Sequence, residues 1–189
     1  MFNLKSKFWK ILLVLLTFIL IIFLIVANLF LPESSPETQK QEYLPPKGAG
    51  FNSLIPGQST WPEAIETLGE PINDKGSATL DFESNNPNLP HQVVTENEKI
   101  TFIREIVAPS DGKTTLDITN LYGNARYVLY GPESIHGFNL YIYPDKGIAY
   151  LGHLKEPVLL EIWYFQPTSF EEFRKKWATS YSDTPQVSQ

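Results

Sequence analysis

The sequence predicts an α+β fold, in which tandem helix-plus-antiparallel-sheet units follow one N-terminal transmembrane helix. Three observations predict it. Residues 11 to 31 carry no charge and are almost wholly aliphatic; two short capped helix signatures recur fifty-four residues apart; and each signature is followed by runs with strand character.

The apolar run extends from Ile11 to Leu31, and eighteen of its twenty-one residues are Leu, Ile, Val or Phe. A helix of that length rises about 31 Å, close to the hydrocarbon thickness of a bilayer. Thr17 and Asn28 are too few to offset the favourable transfer of the aliphatic residues. A cleaved secretory signal would have a shorter apolar region and a small-x-small site, which Ala27-Asn28-Leu29 does not provide. With no cysteine anywhere, there is no thiol for a lipid anchor, so the helix is the expected membrane attachment. Lys5, Lys7 and Lys10 precede the run and Glu33 and Glu37 follow it, placing residues 1–10 in the cytoplasm and the rest outside the cell membrane.

All twenty-one acidic residues lie beyond the run, against twelve of the fifteen basic ones, so the exported part carries a formal charge of −9. That balance disfavours nucleic acid and anionic lipid as partners. Residues 32–52, with four prolines and no apolar period, read as a linker. An exported domain is expected over 53–181, in units of about 53–110 and 111–181, with a flexible tail at 182–189. Its size allows a core without disulfides.

Thr60 to Pro71 has the parts of a short helix. Thr60 caps it and Glu63 reaches back; Pro62 sits where its missing N–H is harmless; Gly69 ends it, and Trp61, Ala64, Ile65 and Leu68 form its stripe. Thr114 to Gly123 repeats the plan with Asp117 in the place of Glu63, and with Ile118, Leu121 and Tyr122 as the stripe. Strands are expected at 78–82, 91–94 and 100–107 after the first helix. After the second they are expected at 138–143, 148–151 and 157–165, with a Pro144-Asp145-Lys146-Gly147 turn.

Ile55-Pro56-Gly57-Gln58-Ser59-Thr60, with Ala64-Ile65 and Leu68-Gly69-Glu70-Pro71, resembles the signature of the SmpA/OmlA family. Those small bacterial envelope lipoproteins support outer-membrane barrel assembly. Their helix-plus-sheet unit is similar to the modules of β-lactamase inhibitory protein. The resemblance covers residues 54–109 and, in outline, a second copy to about 167. It implies the fold and an envelope setting; the lipidated cysteine of the one and the disulfides of the other have no counterpart in this chain.

No catalytic constellation is legible. His91, His136 and His153 lack an oriented serine partner or close-spaced ligands; no Gly-rich phosphate loop precedes a helix; no pair of carboxylates is singled out. Neither a cofactor nor a metal is expected. The aromatic content points instead to a surface. Alternation in residues 138–143 and 158–165 separates Leu140, Ile142 and Ile162 from Tyr141, Tyr143, Trp163 and Phe165. If the aliphatic sets face the helices, those four aromatic residues form an outward face suited to a protein partner. The competing expectation is that a C-terminal helix from Thr168 to Trp177 covers that face with Phe170, Phe173 and Trp177. The expected function is a non-catalytic accessory or scaffold subunit of an envelope complex. The alternatives are an envelope hydrolase with an unrecognised carboxylate or histidine site, and a subunit acting mainly through its transmembrane helix.

Overall fold

A computed structural model describes residues 48–74 and 78–185. The predicted transmembrane helix lies outside the described residues, and among them no helix is long and apolar enough to cross a membrane. The elements are α1 (Trp61–Leu68), β1 (Asn73–Asp74), β2 (Thr79–Phe82), β3 (His91–Glu96) and β4 (Lys99–Ile106), then α2 (Thr115–Tyr122), β5 (Tyr127–Leu129), β6 (Phe138–Tyr143), β7 (Ile148–His153) and β8 (Leu159–Phe165), and finally α3 (Phe170–Trp177). The strands form one antiparallel sheet in the order β1-β2-β3-β4-β8-β7-β6-β5. Two helix-then-meander runs therefore meet where β4 pairs with β8.

In both early helices the acid reaches back as the sequence predicts, while the threonine hydroxyl donates to that acid instead of capping the first turn. The Glu63 carboxylate accepts from the Thr60 N–H at 2.6 Å and from its hydroxyl at 2.9 Å, and Asp117 accepts from Thr114 at 2.7 and 2.9 Å. Each carboxylate thereby satisfies a donor at a helix start, where negative charge also opposes the helix dipole. These bonds hold both carboxyls below their usual range. Residues 144–146 form a 3-10 turn closed by Gly147 at φ 68°. A side chain there would press on the Phe165 carbonyl oxygen, so glycine is required on two grounds.

Both faces of the sheet are covered. On one, α1 and α2 contribute Ala64 and Ile118 to a core with Phe82, Val93, Ile103 and Ile162. On the other, α3 places Phe173 among Leu140, Ile142, Ala149, Trp163 and Phe165. Phe170 stacks on Tyr127 with centroids 4.2 Å apart, and Trp177 stacks on Phe102 at 4.4 Å.

The folded part extends beyond both expected limits. Phe51 and Leu54 are buried in the core around a turn in which their backbones exchange hydrogen bonds of 3.0 and 2.8 Å, so the domain begins ahead of residue 53. Past residue 181, Ser182 exchanges two 2.9 Å backbone bonds with Tyr130, and Asp183 pairs with Arg174. The short strands β1 and β5 were not foreseen: with two and three residues, neither is long enough to show an alternating pattern.

Candidate functional site

The four aromatic residues that the sequence groups as a partner surface do not share a face. Cross-strand register aligns Tyr141 with Tyr150 and Tyr150 with Ile162, toward α1 and α2; it aligns Ile142 with Ala149 and Ala149 with Trp163, toward α3. Tyr141 and Tyr143 therefore belong to one core, Trp163 and Phe165 to the other. Trp163 is 7% exposed and Phe165 1%, and Tyr143 is buried as well. Phe173 covers Phe165 at a centroid distance of 4.6 Å, so helix α3 closes that side as the competing expectation had it. The grouping fails because it assumes one wet face. In a sheet packed on both sides, aliphatic and aromatic residues alternate between two cores, and alternation no longer separates inside from outside.

The polar chemistry of the sheet gathers where β4 meets β8. Glu105, only 2% exposed, forms an ion pair with Lys113 and accepts a 2.7 Å bond from the Tyr164 hydroxyl. Lys113 comes from the connection between β4 and α2, and its ammonium also lies 5.7 Å from the centre of the Phe51 ring. Burial and the neighbouring Glu105 charge push the Tyr164 phenol far above its ordinary value, so it stays a hydrogen-bond donor. On the opposite face, Glu161 accepts from Arg104 Nε at 2.8 Å, from a second Arg104 nitrogen, and from Trp163 Nε1 at 2.7 Å. The array continues through Gln92 to Asp81.

Both carboxylates are thus occupied by fixed donors, the condition under which burial of charge is tolerated. The histidines are dispersed. His91 Nδ1 accepts the Ile106 N–H at 3.0 Å, and burial lowers its pKa. His153 Nδ1 accepts the Glu156 N–H at 3.0 Å, while His136 ends the 3-10 turn Pro132–His136. Among the described residues no three metal-ligating side chains converge.

What remains open is a groove beside α2, with a volume of about 280 Å³. Ile118, Leu121 and Tyr122 form its helical wall; Leu159, Ile162 and Tyr164 line the sheet side; Ala49 and Gly50 close one edge, and Lys113 stands at the rim. Its origin is the packing of α2. Thr115 and Ile118 are buried, whereas Leu121, expected in the buried stripe, is 72% exposed. Helix α1 is seated differently: Ala64 is fully buried, and the adjoining backbone bonds the β3–β4 hairpin through Ile100 to Ser59 at 2.9 Å and Trp61 to Glu98 at 3.2 Å. The opening beside α3 is larger, at about 400 Å³, but polar, and the Glu96–Lys176 ion pair stands in its wall.

Fold and groove together define an α+β domain with an apolar cleft beside α2 and two buried carboxylates, Glu105 and Glu161, held by fixed donors. The sequence matches no protein-family model and no curated protein. Among solved structures it is similar to a DUF4309 family protein (YjgB) from Bacillus subtilis, with 16% identity, a TM-score of 0.45, and coverage of 64% of this chain and 88% of that one.

Proposed function

We propose that the protein is a single-pass membrane protein whose exported domain is a non-catalytic binding module, an accessory subunit of an envelope complex. The observation that carries this reading is the uncharged run Ile11–Leu31, with three lysines before it and only acids in the residues just after. The resemblance of residues 55–71 to the SmpA/OmlA signature supports the envelope setting. The common cap geometry of α1 and α2, each leading into a four-strand meander, supports descent of the two halves from one tandem unit.

The binding reading rests on the state of the internal charges. Glu105 and Glu161 are each held by donors that leave neither a free base, while the α2 groove offers apolar walls and the exposed Leu121. At about 280 Å³ it falls just below the usual range for small-molecule sites and suits the apolar side chains of a polypeptide. A protein partner through this groove replaces the aromatic sheet face as the expected contact.

Because the chain has no cysteine, single substitutions report cleanly on topology and contact. In intact cells an impermeant maleimide is expected to label Ser180→Cys and to spare Ser6→Cys; the reverse pattern overturns the anchor orientation. A photo-crosslinker at Leu121 is expected to give a discrete adduct with another polypeptide that the same group at Leu89, also exposed, does not give. Identical products from the two positions would remove the groove as the contact.

A further inference from the structure

We propose that the α2 groove selects a cationic polypeptide segment, one that sets an aliphatic side chain in the cleft and a lysine or arginine beside Asp117. The inference rests on the reading of that groove as the binding surface, and it adds the chemistry of the partner. Two charged side chains line the groove, Lys113 and Asp117. They are not equivalent. The Lys113 ammonium is committed to the buried Glu105 carboxylate and to the Phe51 ring, so its charge is already balanced inside the domain. Asp117 stands in no ion pair among the described residues. Its Oδ2 atom accepts from the Thr114 N–H and hydroxyl, while Oδ1 has no hydrogen-bond partner among the described residues. The Thr114 bonds hold the carboxyl below its usual range, so it is ionised at neutral pH. The rim of an apolar cleft therefore carries one uncompensated negative charge.

Asp117 and Leu121 lie four positions apart, on one face of α2, and both border the cleft. An apolar side chain seated against Ile118, Leu159 and Ile162 brings its sequence neighbours to that carboxylate. A lysine or arginine meets both demands there, since its methylene stem can lie against the exposed Leu121 while its charged head reaches Asp117. The wider field acts in the same direction. The exported part has a formal charge of −9, and Arg104, Lys146, Arg174 and Lys176 are each paired with an acid of the domain, as Lys113 is. An acidic segment meets repulsion on approach and at the rim; a basic one is attracted at both stages.

The test uses the full chain in a non-ionic detergent, with a single thiol at the groove wall, Leu121→Cys, in a protein that has no other cysteine. The probes are the synthetic peptides acetyl-Cys-Leu-Lys-amide, acetyl-Cys-Ser-Lys-amide and acetyl-Cys-Leu-Glu-amide, equilibrated with that thiol in a thiol–disulfide buffer and counted by intact mass. The same capture at the exposed Leu89→Cys supplies the baseline, because the peptides' own thiol reactivity is common to both sites. Relative to that baseline, the leucine peptide is expected to exceed the serine one by about tenfold, and the lysine peptide to exceed the glutamate one by about threefold. Asp117→Asn, which keeps an acceptor for Thr114, is expected to abolish the lysine preference and spare the leucine preference, and salt at about 0.5 M is expected to do the same. Equal or greater capture of the glutamate peptide overturns the proposal and leaves the groove in place as the contact, as does a lysine preference that survives Asp117→Asn. Loss of the leucine preference removes the groove itself as the contact, and the proposal with it. The two failures are therefore distinguishable.

Discussion

The two faces of the sheet solve the same problem differently. The α3 face is closed by aromatic stacking: Phe165 and Phe173 are almost wholly buried, with Tyr127, Phe170, Phe102 and Trp177 stacked around them. The opposite face is closed by two short helices of similar length and similar cap design, yet the cleft beside α2 is apolar whereas the opening at Trp61 of α1 is mainly polar. The faces also differ in how they hold a buried charge. Glu161 is fixed by a planar guanidinium that donates twice; Glu105 is fixed by a lysine from the connection before α2 and by a tyrosine. The difference is one of closure: the α3 face is filled by aromatic rings, and the other face keeps an open apolar cleft beside α2.

The largest expected effect tests that division in the apolar cores. Phe173→Ala empties a closed site and is expected to destabilise the domain by about 4 kcal/mol; Ile118→Ala borders an existing cleft and is expected to cost about 2 kcal/mol. Urea unfolding of the two variants checks this, and equal costs would mean that α2 is as firmly seated as α3.

The charges give the next effect. Lys113→Met leaves Glu105 buried with a single neutral donor and is expected to cost about 3 kcal/mol; Arg104→Met exposes Glu161 to more water and is expected to cost about 2 kcal/mol. Adding Glu105→Gln to Lys113→Met should recover much of the loss, because the uncompensated charge is gone. If the double variant is no better than the single one, the uncompensated Glu105 charge is not the source of the loss, and the missing contact of the Lys113 ammonium with the Phe51 ring would be the cause.

These contrasts define what the sequence could reveal. Helix caps are local: Thr60 with Glu63, Thr114 with Asp117 and Ser169 with Glu172 lie three residues apart, so the helix limits were legible residue by residue. Strand content was legible wherever a run exceeded about five residues, and β6 matched in full. The side of the sheet to which a strand turns its aromatic residues depends on what covers each face, a long-range fact with no local signature. The Arg104–Glu161 and Lys113–Glu105 pairs have the same character, joining residues fifty-seven and eight positions apart across the sheet or its connection. The groove was hidden for a related reason. Leu121 satisfies the helical stripe, and only the seat of α2 on β7 and β8 shows that it stays outside.

The smallest expected effect separates the faces by pH. On β3, His91 points into the core that contains Phe51, while its neighbour Gln92 joins the array on the other side. Burial lowers the His91 pKa, and Lys113 acts in the same direction, whereas Glu105 and Asp111 oppose it. A folded-state pKa below the unfolded value means that the unfolded chain binds the proton more readily. The stability contributed by neutral His91 is therefore complete above about pH 6.5 and is lost as the pH falls below it. Asp111, whose carboxyl is held low chiefly by Asn85, stays charged throughout that window and does not confuse the reading. His91→Asn keeps a side-chain acceptor near the Ile106 N–H and removes the titration. Between pH 7.5 and 5.5 the urea midpoint of the natural protein is expected to fall more than that of the variant, with the extra loss appearing first as faster amide exchange in α2 rather than α3. Parallel midpoints would remove His91 from the balance, and equal exchange in the two helices would mean that the faces respond as one.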